Sequence, residues 1–252
     1  MKIISYNVNG IRAALKKGLG DWIKENDYDI ICFQESKAQK EQIDIKLFNE
    51  LGYHVFVHSA VKKGYSGVVV LSKKKPISIK QGCGIEYIDV EGRIIQINYE
   101  NFTLLNCYFP SGTTGDIRQA IKYKFLDDFY EWIQDFKKQQ PNLIVVGDYN
   151  IAHTELDIHN PKSKNSGFLP DERAWMTKWF ESGFVDAFRF KNPDLQTYSW
   201  WTYRVNARAN NKGWRIDYQS VSLPLKDKIV DAKQLNDIVH SDHCPVLLNI
   251  KL

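Results

Sequence analysis

Apolar runs that stop at a polar side chain constrain this chain more than any other feature. Residues 2–6 run into Asn7, 29–33 into Gln34 and Glu35, 102–107 into Tyr108, and 143–146 into Gly147 and Asp148. Ile216 stands directly before Asp217, and a final run, 246–250, follows His240, Ser241, Asp242 and His243. The runs are apolar at nearly every position rather than at alternate ones, so they read as strands buried on both faces. Helical patterns lie between them. They cover 19–25, 41–51 with Ile43, Leu47 and Leu51 on one stripe, 117–138 with Phe125, Phe129 and Ile133 in step, and 171–181 behind Pro170. No Pro- or Ser-rich linker interrupts them. One α/β domain spanning 1–252, its sheets covered by helices, is expected.

Composition narrows the class. Of 252 residues, 43% are hydrophobic and 25% charged, as in a globular protein in water. No apolar run is long enough to cross a membrane, and the N-terminal run is too short for a signal peptide, so a cytoplasmic monomer is expected. Cys32, Cys83, Cys107 and Cys244 are too widely spaced for a Cys-x-x-Cys metal pair and are expected to be small buried thiols in a reducing compartment. A net charge of +4 permits an anionic partner without demanding one. Arg204, Arg208, Lys212 and Arg215 are interleaved with Trp200, Trp201, Tyr203 and Trp214. That mixture suits a surface meeting phosphates and bases, and it suits structural packing equally well.

The polar residues at strand ends form a chemically coherent set: Asn7, Glu35, Tyr108, Asp148, Asn150, Asp217, Asp242 and His243. Ligand sites of α/β folds gather where strands meet loops. Glu35, with Asn7 and Asp242 as helpers, offers oxygen ligands to a hard cation such as Mg²⁺, with Mn²⁺ as a substitute. His243 can donate to an anionic oxygen while Asp217 orients its other nitrogen and favours the imidazolium. Asp148 can hold or deprotonate a water that Asn150 orients. Tyr108 can donate to developing charge, or act on it as phenolate. These are parts for in-line attack of water on a phosphodiester. Of the neighbours of His243, Ser241 reads as a turn or hydrogen-bonding residue and His240 as structural. The apolar stretches ending in "SYNVNG" and "GDYNIAH" echo each other, as if two strand ends met at one edge.

The stretches "ISYNVNGIRA", "IICFQESK", "LLNCYFPSG", "VVGDYNIAH", "NSGFLPDERAWM", "WWTYRVNARANNKGWRIDY" and "HSDHCPV" resemble the exonuclease III family of abasic-site endonucleases. That family lies within the endonuclease/exonuclease/phosphatase superfamily, which includes DNase I-like enzymes. The resemblance covers essentially the whole chain. It implies a four-layer α/β sandwich, with two central mixed sheets face to face and helices outside. It implies Mg²⁺-dependent hydrolysis of the phosphodiester 5′ to an abasic site in duplex DNA, leaving a 3′-hydroxyl and a 5′-deoxyribose phosphate. Secondary 3′–5′ exonuclease and 3′-phosphatase activities are also implied.

By the same resemblance Glu35 is the principal metal ligand, with Asn7 and Asp242 in support. Asp148 and Asn150 serve the nucleophilic water, Tyr108 acts near the scissile phosphate, and Asp217 orients His243. Trp200, Trp214 and Ile216 match an apolar pocket that admits a flipped deoxyribose lacking its base, which costs less to extrude than an intact nucleotide. Arg204 matches a side chain that inserts into the duplex. Asn165 matches the site wall, and Asn211 a brace for a DNA-facing loop. Arg12 and Lys16, in the loop after the first strand, are candidates for backbone contact. Asn9 and Ser111 depart from relatives that carry Asp and Asn there. Two rival readings remain at this stage: a phosphoesterase for inositol phosphates or lipid head groups, and a DNA binder that has lost catalysis.

Overall fold

A computed structural model describes residues 1–252. Twelve strands form two six-stranded sheets. The first contains β1 (Lys2–Asn7), β2 (Ile30–Gln34), β3 (His54–His58), β4 (Val68–Ser72), β11 (Ile229–Gln234) and β12 (Val246–Ile250), in the order β11-β12-β1-β2-β4-β3. The second contains β5 (Ser78–Gln81), β6 (Ile94–Asn98), β7 (Thr103–Tyr108), β8 (Leu143–Asp148), β9 (Phe184–Asp186) and β10 (Asp217–Ser222), in the order β5-β6-β7-β8-β10-β9. Each sheet is mixed. Its one parallel pair, β1/β2 or β7/β8, is central, and the other pairings are antiparallel.

The side-chain period of two explains why the central strands are apolar throughout. Ile3 of β1 points into the core between the sheets, beside Ile30, Val70, Leu104, Ile144 and Val146. Its neighbour Ile4 points outward to a second core. That core is roofed by α1 (Ile11–Lys16), α2 (Leu19–Glu25) and α3 (Ile45–Glu50), which contribute Ile11, Ile23 and Phe48. The outer face of the second sheet packs against the long helix 116–139 and helix 170–181, through Phe125, Phe129, Ile133, Trp175 and Trp179. Four layers result, as expected. The four cysteines are free and buried.

Three local expectations are corrected. The pattern over 41–51 is not one helix: a 3-10 turn, Lys40–Gln42, is followed by extended Ile43 and then α3. Asp44 is the reason, because its carboxylate accepts the Leu47 N–H at 3.0 Å and starts a new helix there. Arg12 and Lys16 lie on helix α1 rather than in a loop. Asp217 opens its strand rather than ending one, and β10 runs antiparallel to β8 with Asp217 opposite Asp148.

That reversal builds the site. The carboxyl ends of β1, β2, β7 and β8 reach one edge of the sandwich. Antiparallel β10 brings its amino end to the same edge, and β12, paired Ser5 to Val246 with β1, delivers Asp242 and His243 there. Polar side chains lock the two sheets together beneath this edge. Gln34 donates to Asn106 Oδ1 at 2.7 Å and to Ser5 Oγ at 3.0 Å, and Gln219 reaches across to the Ile3 and Val246 carbonyls at 3.1 Å. The Gln34–Asn106 and Gln219 bonds fix one sheet on the other, and the Gln34–Ser5 bond ties β2 to β1 within the first sheet.

Candidate active site

Three strand ends turn sharply as they enter the site, after β1, β2 and β8. Asn9, Glu35 and Asn150 have φ of 45°, 51° and 53°. Left-handed backbone is costly for residues with a Cβ and persists where the surroundings over-determine it. Here it aims short polar side chains into one open cavity of about 930 Å³.

Asp148, at the end of β8, is fully buried and heavily served. Its Oδ2 accepts from Asn7 Nδ2 at 2.8 Å and Asn150 Nδ2 at 3.3 Å, and its Oδ1 from the Asn150 N–H at 2.8 Å. The echo between "SYNVNG" and "GDYNIAH" is therefore physical, since the two strand ends touch through Asn7 and Asp148. Burial and the Asp217 charge push Asp148 up to about 7, against the pull of His243 and the Asn7 bond. His243 Nδ1 lies 2.9 Å from Asp217 Oδ2, and its Nε2 lies 3.9 Å from Asp148 Oδ2. Burial opposes charge on this imidazole, but Asp217, Asp148 and Asp242 outweigh it and raise it to about 10. His243 is an imidazolium at neutral pH.

Tyr108 donates its hydroxyl to Glu35 Oε1. Burial, with Glu35 and Asp148 nearby, holds the phenol well above its usual range, so it stays neutral; the phenolate role is corrected to that of a donor. Glu35 also faces Lys37 Nζ at 3.3 Å, and Lys37 donates to Asn9 Oδ1. Asn9 in turn donates to Asp242 Oδ1 at 3.0 Å. Both ends of the Asn9 amide are thus engaged in linking Lys37 to Asp242. Burial would push Asp242 up, but the His243 charge and bonds from Asn9, Trp200 and Ser241 hold it below the usual carboxylate range.

Beside this cluster is an apolar cup. Trp200 and Trp214 meet edge to face, ring centroids 6.1 Å apart, and pack with Ile216, Phe168, Ala152 and Ile158. The Trp200 backbone pairs with both Trp214 and His243, so cup and catalytic cluster share a wall. Ser199 Oγ accepts the Ile216 and Asp217 N–H groups, each at 3.1 Å, and seats the start of β10.

Asn7, Glu35, Tyr108, Asp148, Asn150, Asn165, Trp200, Trp214, Ile216, Asp242 and His243 all line the cavity. Asp217 lies buried behind His243. Arg12, Arg204 and Asn211 lie outside it. Arg12 donates to the Lys37 carbonyl at 3.4 Å, Arg204 is exposed, and Asn211 accepts from Trp201 Nε1 at 3.3 Å. His240 packs against Tyr6 and Trp22, and Ser241 Oγ bonds Asp242 and the His243 N–H, as their sequence reading implied.

The basic and aromatic stretch divides. Arg215 is no surface cation: it is buried between Asp157 and Asp186, at 2.7 Å from each. Arg208 stacks on Trp201 and donates to the Ser241, Asn236 and Ile238 carbonyls. Both tie parts of the fold together, because carboxylates and backbone carbonyls from distant segments replace the water that each guanidinium gives up on burial. Lys37, Ser199 and a buried Lys122–Glu172 pair carry no strand-end signal and went unread in the sequence.

One carboxylate or imidazole atom each of Asp148, Asp217 and His243 lies within 4.8 Å of the others, a buried group in which the two carboxylates, and the imidazole once deprotonated, can bind a divalent metal. Glu35, Asn7 and Asp242 add oxygen donors on the same cavity, and no cysteine lines it. One buried oxygen, Asp217 Oδ1, has no hydrogen-bond partner. An oxygen-dominated donor set of this kind fits a hard cation.

The family model described as "Endonuclease/Exonuclease/phosphatase family" matches residues 4–243. The chain belongs to this family. Among relatives of this endonuclease/exonuclease/phosphatase protein, an exodeoxyribonuclease of Bacillus subtilis is 44% identical over 100% of both chains. The DNA repair nuclease APEX1 of Danio rerio is 40% identical over 98% of this chain and 81% of its own. The solved structure of an AP endonuclease from Archaeoglobus fulgidus superposes with a TM-score of 0.91, at 31% identity over 100% of each chain. The family member described here is a hydrolase of the nuclease kind, with the DNase I-like sandwich of these relatives.

Proposed function

We propose that this protein is a DNA-repair nuclease, a single 1–252 domain that hydrolyses the phosphodiester 5′ to an abasic site in duplex DNA. The products are a 3′-hydroxyl and a 5′-deoxyribose phosphate, with 3′–5′ exonuclease and 3′-phosphatase action secondary. One observation carries the reading: a cluster equipped for phosphodiester hydrolysis shares a wall, Trp200 against His243, with an apolar cup. An inositol phosphate or lipid head group would want cations in that position. A sugar without its base wants Trp200, Trp214 and Ile216.

In this reading Glu35, with Asn7 and Asp242, would hold Mg²⁺, or Mn²⁺ in its place. The bound ion supplies charge neutralisation at the phosphate oxygens. Asp148, poised near neutrality, takes the proton of the attacking water, and Asn150 keeps that carboxylate aimed. His243 donates an Nε2–H hydrogen bond to a phosphoryl oxygen as negative charge develops, while Asp217 keeps Nδ1 engaged and the ring oriented; the P–O3′ bond breaks as the water oxygen bonds to phosphorus, and the leaving 3′-oxygen takes its proton from solvent. Tyr108, whose one O–H goes to Glu35, holds that carboxylate beside the scissile phosphate. Asn165 closes the wall, and Arg204, Asn211 and Arg12 lie outside on the face that receives the duplex. The partner is DNA, the active form a monomer, and the four buried thiols fit a reducing cytoplasm.

The test is an end-labelled duplex with one abasic-site analogue, incubated with and without Mg²⁺. A single metal-dependent cut 5′ to the site, leaving a 3′-hydroxyl, is expected. Laddering from the 3′ end without that cut would make the protein chiefly an exonuclease.

A further inference from the structure

The mechanism leaves one buried ion pair unused. Lys122 and Glu172 are both wholly inaccessible, with Nζ 2.5 Å from Oε1. They sit on the two outer helices, 116–139 and 170–181, yet both point toward the cavity wall. Lys122 Nζ also donates to the Asn150 carbonyl at 2.8 Å. Asn150 is the left-handed residue whose amide and side chain hold both oxygens of Asp148.

Glu172 gathers the opposite wall. Its Oε2 accepts the Gly167 N–H at 2.6 Å and the Leu169 N–H at 2.9 Å, and its Oε1 accepts from Ser166 Oγ at 3.3 Å and Gln119 Nε2 at 3.1 Å. Gly167, at φ 96°, leaves no room for a side chain: a Cβ would sit 2.9 Å from the Trp214 ring and 3.0 Å from the Asn150 oxygen. Asn165, Ser166, Gly167 and Leu169 line the cavity beside Asn150 and Trp214. A buried ion pair is weak as a source of stability, since desolvation costs as much as attraction returns. It is strong as a device that admits one geometry only.

We infer that Lys122 and Glu172 are a positioning pair that sets the loop of Asp148 and Asn150 against the loop 165–169. Water activation and the shape of the cup are thereby fixed relative to each other. The inference deepens the proposed function and rests on it for the substrate. Lys122 acts through Asn150, and Glu172 through Gly167 and Trp214. Misplacing a reacting group by an ångström costs about 100-fold in rate, so the pair controls kcat and discrimination more than folding.

The experiment uses the whole chain as K122M and as the double variant K122M/E172Q, which removes both charges and leaves neither one buried alone. Melting and circular dichroism report folding. Incision of abasic and intact duplexes reports kcat, KM and their ratio. The double variant is expected to melt closer to wild type than K122M does. Its kcat on the abasic duplex is expected to fall about 100-fold while KM moves far less, and the preference for abasic over intact DNA to shrink. Wild-type kcat and preference per folded molecule in the double variant would overturn the inference and leave a purely structural pair. If the wild type cuts no abasic duplex but hydrolyses another phosphoester, the functional reading alone fails. The same kcat comparison on that substrate then decides for or against the pair.

Discussion

Asn7 donates its amide to Asp148 across 2.8 Å, joining strand ends 141 residues apart that belong to different sheets. The Asp148 carboxylate, proposed to take the proton of the attacking water, is therefore aimed from both halves of the sandwich. The bond also favours the charged form of a buried acid. Removing it in Asn7→Ala must raise the Asp148 pKa further. The rising limb of the kcat/KM profile, expected near pH 7 from Asp148, should move to higher pH. A limb that stays in place in the variant counts against Asp148 as the base.

His243 should be needed as an acid. Its raised pKa, about 10, keeps it protonated through neutrality, so activity should fall as pH rises through that value. His243→Ala is expected to lower kcat by about 10²–10⁴-fold and to lose stability as well, because Asp217 is left buried without its 2.9 Å partner. Near-normal incision by this variant removes His243 from the mechanism.

Glu35→Ala should shift the divalent-ion requirement upward. Glu35 faces the cavity with one oxygen on Tyr108 and the other near Lys37. A titration of activity against Mg²⁺ checks it, and an unchanged midpoint would move the metal to the Asp148, Asp217 and His243 group.

Trp214→Ala should open the cup. Trp214 packs edge to face on Trp200 and lies close against Gly167. Apolar pockets discriminate by about 1–3 kcal/mol, so preference for abasic over intact duplex should fall about 10–200-fold. Unchanged preference would show that the cup does not select the substrate.

Arg215→Met should test the buried pair below β10. Burial would raise Asp157, but Arg215 and Arg189 outweigh it and hold it well below the usual range. A depressed folded pKa gives stability that is present above the unfolded value, about 3.9, and is lost as pH falls toward the folded one. The variant should lose about 3–5 kcal/mol at neutral pH. That loss should narrow in acid, where a protonated Asp157 needs no partner. Denaturant melts at pH 7 and pH 3 measure both, and an equal loss at the two values contradicts the assignment.

Local pattern was enough for much of this. A run such as residues 143–146 is apolar on both faces whatever surrounds it, so the strands and the covered sheets were legible. Side-chain chemistry is likewise intrinsic: Glu35, Tyr108, Asp148, Asn150 and His243 announced phosphodiester hydrolysis by type and by standing at strand boundaries, whereas Trp200 and Trp214 pointed to a pocket only through the family resemblance. Direction and partnership were not local. Ile216 and Asp217 read as a strand end until pairing with β8 reversed them. The pattern over 41–51 read as one helix until Asp44 captured the Leu47 N–H. The stretch holding Arg208 and Arg215 suited a nucleic-acid surface and structural packing equally, and Asp157, Asp186 and distant carbonyls drew both residues inward. Nothing in the sequence marks Lys122 off from the other lysines of helix 116–139. Sequence determines which groups are available and which periods they follow. Only the tertiary structure decides which charge meets which acceptor, because a charge is buried only where a partner from elsewhere in the chain offsets its desolvation.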